Sequence, residues 1–348
     1  MKLDLHRHLE GSHSAAALAA VAVEFDIRDP LFFDVVANRH RSADEIAPAL
    51  TMTAPTDDAR VFYACIQKAR AAYVSEAAIR ALALRAFLEA AAETDAFEMR
   101  ISLFSMTRTL LDNERVVWRE LPPSTFAERC RRVLLVVLAA RDEAMATTTK
   151  PILVRVGFSR TFESAPHYQA MAAMLREHKQ SICGLDVLGI VVGDDKEPMP
   201  AALNDILVDL RNDFADLTIH AGEFEDHRSV ERTLALEPQG IGHGVHSVGS
   251  DEVMARLRDG GVTLEVCPHS NHLLIPTALQ KLVELHGAHP LKVLQQHDVH
   301  CVLGSDDPTP MGTTFGGEWL RAALLDVDMA RLQRDSLRRW AQLPTPSR

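Results

Sequence analysis

The sequence predicts a closed (β/α)8 TIM barrel, an α/β architecture with additional helices between the first two strands and at the C-terminus. Three observations carry that expectation. Eight short apolar stretches read as strands, each is followed by a helical stretch, and several strands end in histidine or aspartate. Strand–helix units joined by crossover helices make parallel strands, and eight of them close on themselves. The carboxyl ends of such strands share one mouth, where barrel enzymes place their chemistry. The 348 residues are 47% hydrophobic, enough for one large core. No linker or internal repeat divides them, so a single domain over 1–348 is expected.

The elements follow in order. Leu3-Asp4-Leu5 opens a strand that runs into His6-Arg7-His8-Leu9-Glu10-Gly11. Side chains alternate across a strand, so His6 and His8 face one side and can grip one metal. The Ala-rich residues 13–25 read as a helix. Residues 26–60 contain Pro30, Pro48 and Pro55 and read as short helices broken by proline. A helical tract covers 59–93, with a join near Ser75. Phe97 to Phe104 alternates at period two and reads as the second strand. Pro151–Phe158, Cys183–Val192, Leu217–His220, Gly240–His243, Val262–Cys267 and His300–Gly304 read as the remaining six. Helical stretches at 123–145, 164–179, 203–214, 229–236, 251–258, 277–285 and 290–296 separate them, and 318–343 is helical before a Pro-rich tail.

Composition narrows the function. A net charge of −11 argues against a nucleic-acid surface, which needs basic patches to displace counterions. Five scattered Cys without C-x-x-C spacing read as free thiols in a reducing compartment. No apolar run approaches the roughly 20 residues of a membrane span. A cytoplasmic protein without a membrane or nucleic-acid partner, monomeric or homo-oligomeric, is expected.

The strand ends carry the chemistry. The first ends in His6 and His8, the fifth in His220-Ala221-Gly222-Glu223, and the sixth in Gly242-His243-Gly244. The seventh ends in Cys267-Pro268-His269-Ser270-Asn271, and the eighth in Ser305-Asp306-Asp307-Pro308. Three His and one Asp, namely His6, His8, His220 and Asp306, make a complete donor set for one catalytic divalent metal with a position left for water. Zinc fits these nitrogen and oxygen donors best, while Fe2+, Mn2+ and other transition metals share the same ligand chemistry.

These pieces, with Glu98-Met99-Arg100-Ile101-Ser102, stand in the order and at the separations of the adenosine deaminase family of the amidohydrolase superfamily, which the chain resembles over residues 1 to about 310. The resemblance implies hydrolytic removal of the 6-amino group of an aminopurine, of adenosine or adenine type, by a metal-activated hydroxide with release of ammonia. It makes Glu223 the general acid, His243 the group that receives or orients the nucleophile's proton, and Asp306 a contact of the nucleophile as well as a ligand. Asp307 then meets the purine N7, and Glu10, Ser102 and Gly189 belong to the substrate site. Gly189 comes from the family's Asp-x-x-Gly read at Asp186, with Gly193-Asp194-Asp195 as the competing alignment. Glu10 stands where family members acting on adenosine usually carry Asp. Aminofutalosine, an N6-modified purine or nucleotide, or another aminated heterocycle is the alternative substrate, with a non-catalytic purine-binding protein behind these. Phe32, Phe33, Phe62 and Tyr63 are candidate pocket residues, and Arg7 and Lys196 candidate phosphate ligands.

Overall fold

In a computed structural model, which describes residues 1–162, 164–191 and 195–344, eight parallel strands form one sheet in the order β1-β4-β5-β6-β7-β8-β9-β10. They are β1 (Leu3–His8), β4 (Ala96–Ile101), β5 (Ile152–Ser159), β6 (Gly184–Leu188), β7 (Leu217–Ala221), β8 (Gly240–His243), β9 (Thr263–Val266) and β10 (His300–Leu303). The remaining pair, β2 (Phe33–Asp34) and β3 (Arg39–His40), is a small antiparallel hairpin outside the barrel. Between β10 and β1 the barrel closes through Asp306. Its N–H donates to the His6 carbonyl and its carbonyl accepts from the His8 N–H, both at 2.8 Å.

Alternation along each strand sorts the side chains. Leu3 and Leu5 pack with Ala96, Leu153, Cys183 and Val302 as an apolar floor of the barrel against Leu343 and Trp340, while Ile219, Leu264 and Val266 join the apolar layer under the surrounding helices. The residues between them point inward, and here they are charged. Glu98, Arg100, Arg155, Asp186, Thr218, His220 and Glu265 are all buried. Above its apolar floor the barrel interior is therefore a polar column in place of the usual layers of branched apolar residues.

Several expected boundaries shift for local reasons. The second barrel strand stops at Ile101, not Phe104, because Ser102 accepts from the Ser105 N–H and caps a helix at Leu103–Asn113. The Cys183–Val192 strand shortens to Gly184–Leu188. Residues 26–60 hold the hairpin as well as the helix Ala43–Leu50, whose Ser42–Glu45 capping box overrides Pro48. The final helical stretch is two helices, Phe315–Leu324 and Met329–Gln342, the second capped by Asp328. A short helix, Pro268–Leu274, follows β9. No helix among the described residues is long and apolar enough to cross a membrane. All five Cys are buried free thiols.

Candidate metal centre and active-site cavity

The closure of β1 on Asp306 places the expected ligands together. The donor atoms of His6, His8, His220 and Asp306 all lie within 4.8 Å of one another. Asp306 Oδ1 is 3.5 Å from His6 Nε2 and 3.4 Å from His8 Nε2, and His8 Nε2 is 3.2 Å from His220 Nε2. His6 Nε2 is buried without any hydrogen-bond partner. Three imidazole nitrogens converging on one carboxylate, one of them orphaned, fit a divalent cation. The rear faces of two ligands are held as well. His6 Nδ1 faces Glu265 Oε2 at 3.1 Å, and His220 Nδ1 faces Asp186 Oδ1 at 3.1 Å. At Gly242 a Cβ would come within 2.9 Å of the His6 ring and 3.1 Å of the His220 ring, so the two imidazoles fill the place of a side chain. A second grouping, His6, His243, Cys267 and Asp306, reuses two of the same residues. Its Cys267 thiol is pushed well above the ordinary range, first by burial and then by Asp306 and Glu318, and donates to the Glu265 carbonyl. That keeps the sulfur a poor ligand.

The acid–base candidates surround this centre. Glu223 Oε2 is 3.4 Å from His243 Nε2, which lies 3.9 Å from Asp306 Oδ2. Burial, then the Asp306 and Glu197 carboxylates, raises the Glu223 carboxyl well above its ordinary range. Burial lowers His243 well below the usual histidine value, and the neighbouring His6 and His220 act in the same direction against the pull of Asp306. Burial alone would raise Asp306, but His243, His6 and His8 hold it well below the carboxylate range. Its neighbour Asp307 goes the other way, raised by burial and by the Asp306 and Glu10 charges. Two adjacent carboxyls are thus set to opposite protonation states. Both His243 and Asp306 take left-handed backbone conformations, φ 61° and 58°, at a cost of about 1–3 kcal/mol each that the surrounding packing must cover.

A cavity of about 500 Å³ opens onto these groups. Glu10, Ser102, Gly189 and Asp307 all line it, as do Phe62 and Tyr63. The Ser102 N–H donates to Glu10 Oε1 at 2.9 Å, while Glu10 Oε2 is buried with no partner. Gly189 sits at φ +88°, a conformation only glycine takes readily, and a Cβ there would make ordinary contacts with Ser159 Oγ at 3.5 Å and Thr161 Cγ2 at 3.9 Å. Gly193 and Asp194 of the competing alignment lie outside the described residues.

Other candidates are elsewhere. Phe32 is fully buried in the helical core, and Phe33 packs on His40. Arg7 is turned away from the cavity, held by Glu93 at 2.5 Å and by Ser12 at 3.1 Å. Lys196 does line the cavity. His13 is buried against Tyr73, His269 meets the Met311 carbonyl and His246 the Gly222 carbonyl.

Four residues that sequence reasoning gave no role complete the site. Glu197 accepts the backbone N–H groups of Gly222, Glu223 and Phe224 at 2.8–3.0 Å, together with the Ser229 hydroxyl. Arg160, 1% exposed, donates to the His220 carbonyl and keeps Nε and Nη1 without partners beside the cavity. The Asn271 amide meets His243 Nδ1 at 3.1 Å, and Arg100 joins the carboxylates behind His6 and His220. Asn271 and Arg100 lay inside quoted motifs, whereas nothing in the local sequence marks Glu197 or Arg160.

The family model described as adenosine deaminase matches residues 1–343. An adenosine deaminase of Klebsiella pneumoniae is 27% identical over 96% of this chain and 89% of its own length. An adenine deaminase of Chelativorans is 38% identical over 31% of each chain, so this match spans about a third of that relative. Among solved structures, adenine deaminase from Arthrobacter aurescens superposes with a TM-score of 0.73 at 21% identity, covering 97% of this chain and 92% of its own. The N6-methyl-AMP deaminase of Arabidopsis thaliana gives 0.68 at 16% identity, covering 98% and 91%. Both share the barrel fold.

Proposed function

This chain belongs to the adenosine deaminase family, and we propose that it is a metal-dependent hydrolase that removes the 6-amino group of an aminopurine and releases ammonia. The observation that carries this reading is the convergence of His6, His8, His220 and Asp306 beside a raised Glu223 and a lowered His243 at one cavity. The four residues would hold one divalent ion, zinc by their donor chemistry. When bound, such an ion would lower the pKa of water to about 7 and so supply a nucleophile at neutral pH.

The protein's own groups divide the remaining work. Glu223, its carboxyl raised well above the ordinary range, donates its proton to the ring nitrogen next to the carbon under attack as that carbon becomes tetrahedral. His243, neutral, receives or orients the proton of the attacking water. Asn271 selects between these roles. With its Nδ2 donating to Nδ1, the ring carries its proton on Nε2 and orients, whereas the reversed amide leaves Nε2 free to accept. Asp307, kept protonated, donates to the lone pair of N7. Water adds, ammonia leaves and the ring keeps the oxygen.

Glu10 bears on which aminopurine is used. Its free oxygen lies in the cavity, ready for a donor at the far end of the substrate, which favours a base or nucleoside over a group that is itself an anion there. The relatives named as adenine and adenosine deaminases support both substrates. Release of ammonia from adenine, adenosine and deoxyadenosine, and of methylamine from their N6-methyl forms, tests the reading on metal-loaded protein. Turnover of one or more is expected, and none on any aminopurine would overturn it.

A further inference from the structure

We infer that Arg100 is a positioning residue for the metal, setting the proton-bearing nitrogen of one ligand histidine and tying it to the orientation of a second. The inference rests on reading His6, His8, His220 and Asp306 as ligands. A histidine that binds metal through Nε2 must carry its proton on Nδ1, and the group that accepts that proton fixes the choice. At His6 two groups compete for Nδ1. Glu265 Oε2, 3.1 Å away, accepts a proton, and Arg100 Nη1, 3.0 Å away, only donates. If Nδ1 accepts from Arg100, the proton moves to Nε2 and points into the ligand centre. If Nδ1 donates to Glu265, Nε2 is free for metal.

The second position of the same guanidinium nitrogen resolves the competition. Arg100 Nη1 also reaches Asp186 Oδ2 at 3.3 Å, and Asp186 Oδ1 is the partner of His220 Nδ1. A metal on His6 Nε2 makes Nδ1 a donor to Glu265 and leaves Asp186 Oδ2 as the acceptor for Nη1, on the carboxylate that orients His220. Arg100 Nη2 meanwhile holds Glu265 Oε2 at 2.8 Å, Glu98 Oε1 at 2.7 Å and the Leu5 carbonyl at 3.0 Å. One guanidinium on β4 thus joins ligands on β1 and β7 through carboxylates on β9 and β6.

Charge in the column supports this arrangement. Arg100, Arg155 and Arg339 face Glu98, Asp186, Asp216 and Glu265, all buried, with Arg155 and Arg339 meeting at Asp216. Both carboxylates that meet ligand imidazoles, Asp186 and Glu265, belong to this set, and Arg100 reaches both.

The test measures metal, not turnover. Zinc dissociation constants come from competition with a chromophoric chelator for the wild type, Glu265→Gln, Asp186→Asn and the double variant. These substitutions keep Arg100 and the side-chain shapes. Each single change should raise the constant about 10–100-fold. Because both act through Arg100, the double change should differ from the product of the singles by threefold or more. Saturating zinc should bring kcat of Glu265→Gln back to within a few-fold of wild type. Arg100→Lys, which keeps the charge but loses the planar fork, should weaken zinc by a similar factor. Multiplicative effects in the double variant, or unchanged zinc affinity in Arg100→Lys, would overturn the role of Arg100 and leave the metal reading intact. A wild type that binds no zinc or other divalent metal would overturn both.

Discussion

Replacing Glu223 by Gln keeps the shape of the side chain and removes its transferable proton. Turnover should fall about 10²–10⁴-fold, while metal content, read by elemental analysis, should stay at the wild-type level. A variant that retains activity would take Glu223 out of the acid role. Direction of the pKa shifts gives the pH dependence. In the proposed mechanism Glu223 works protonated, and its raised pKa extends that form to higher pH, so kcat/KM should fall as pH rises through it. His243 would work neutral, and its lowered pKa should move the acid limb well below the usual histidine range. The proposed metal ligands and acid could be picked out of the sequence because each sits within a few residues of a strand end and carries an unusual side chain for that place. Glu197 and Arg160 could not, because their roles exist only across the fold. Glu197 meets the Gly222–Phe224 backbone from 25–27 residues away, and Arg160 reaches the His220 carbonyl across 60.

The loop after β7 shows how one element is held in place. Its three successive N–H groups, at Gly222, Glu223 and Phe224, have no strand to pair with and all point at Glu197. Glu197→Ala leaves them buried and unsatisfied, at about 1–3 kcal/mol for each group lost. We expect kcat to drop about 10–100-fold with metal retained, and faster amide exchange confined to this loop; normal kcat would remove Glu197 from the support of the acid. A second support has a pH signature. Glu318 accepts the His269 N–H of the helix Pro268–Leu274, which carries Asn271, and burial raises its carboxyl from 4.5 to about 7. A folded-state pKa above the unfolded one means the stabilising contribution is full below about 4.5 and lost as pH rises through 7. Glu318→Gln, neutral throughout, should therefore gain on wild type between those limits by up to about 3 kcal/mol in urea unfolding. Parallel stability curves would refute the burial of an ionising group there. Such elements were hard to read in advance. The helix Leu103–Asn113 follows β4 with a single residue between them, so an alternating apolar pattern ran on into it, and only the Ser102 cap marks the change.

At the scale of the whole molecule, the seam that closes the barrel and the proposed ligand set are one structure. The barrel order was legible because eight strand–helix units leave little other topology, but the polar column inside was not, since charged residues on a strand normally signal a solvent face. Only closure turns Glu98, Arg100, Arg155, Asp186 and Glu265 inward together. Between β10 and β1 the described residues show two backbone hydrogen bonds, both to Asp306, where β5 and β6 pair over five residues. Metal bound by His6, His8 and Asp306 adds bonds across this thinnest seam, so its removal should loosen that place first. Ion present at about a thousand times its dissociation constant contributes about 4 kcal/mol to folding. Chelation should therefore lower Tm by several degrees, and readdition of zinc should restore it. Hydrogen exchange locates the effect: the amides of His8 and Asp306 should lose protection on chelation while those within β5 and β6 keep theirs. Uniform loss across all strands would mean that metal stabilises the fold without closing the seam, and an unchanged Tm would mean that the barrel closes without it.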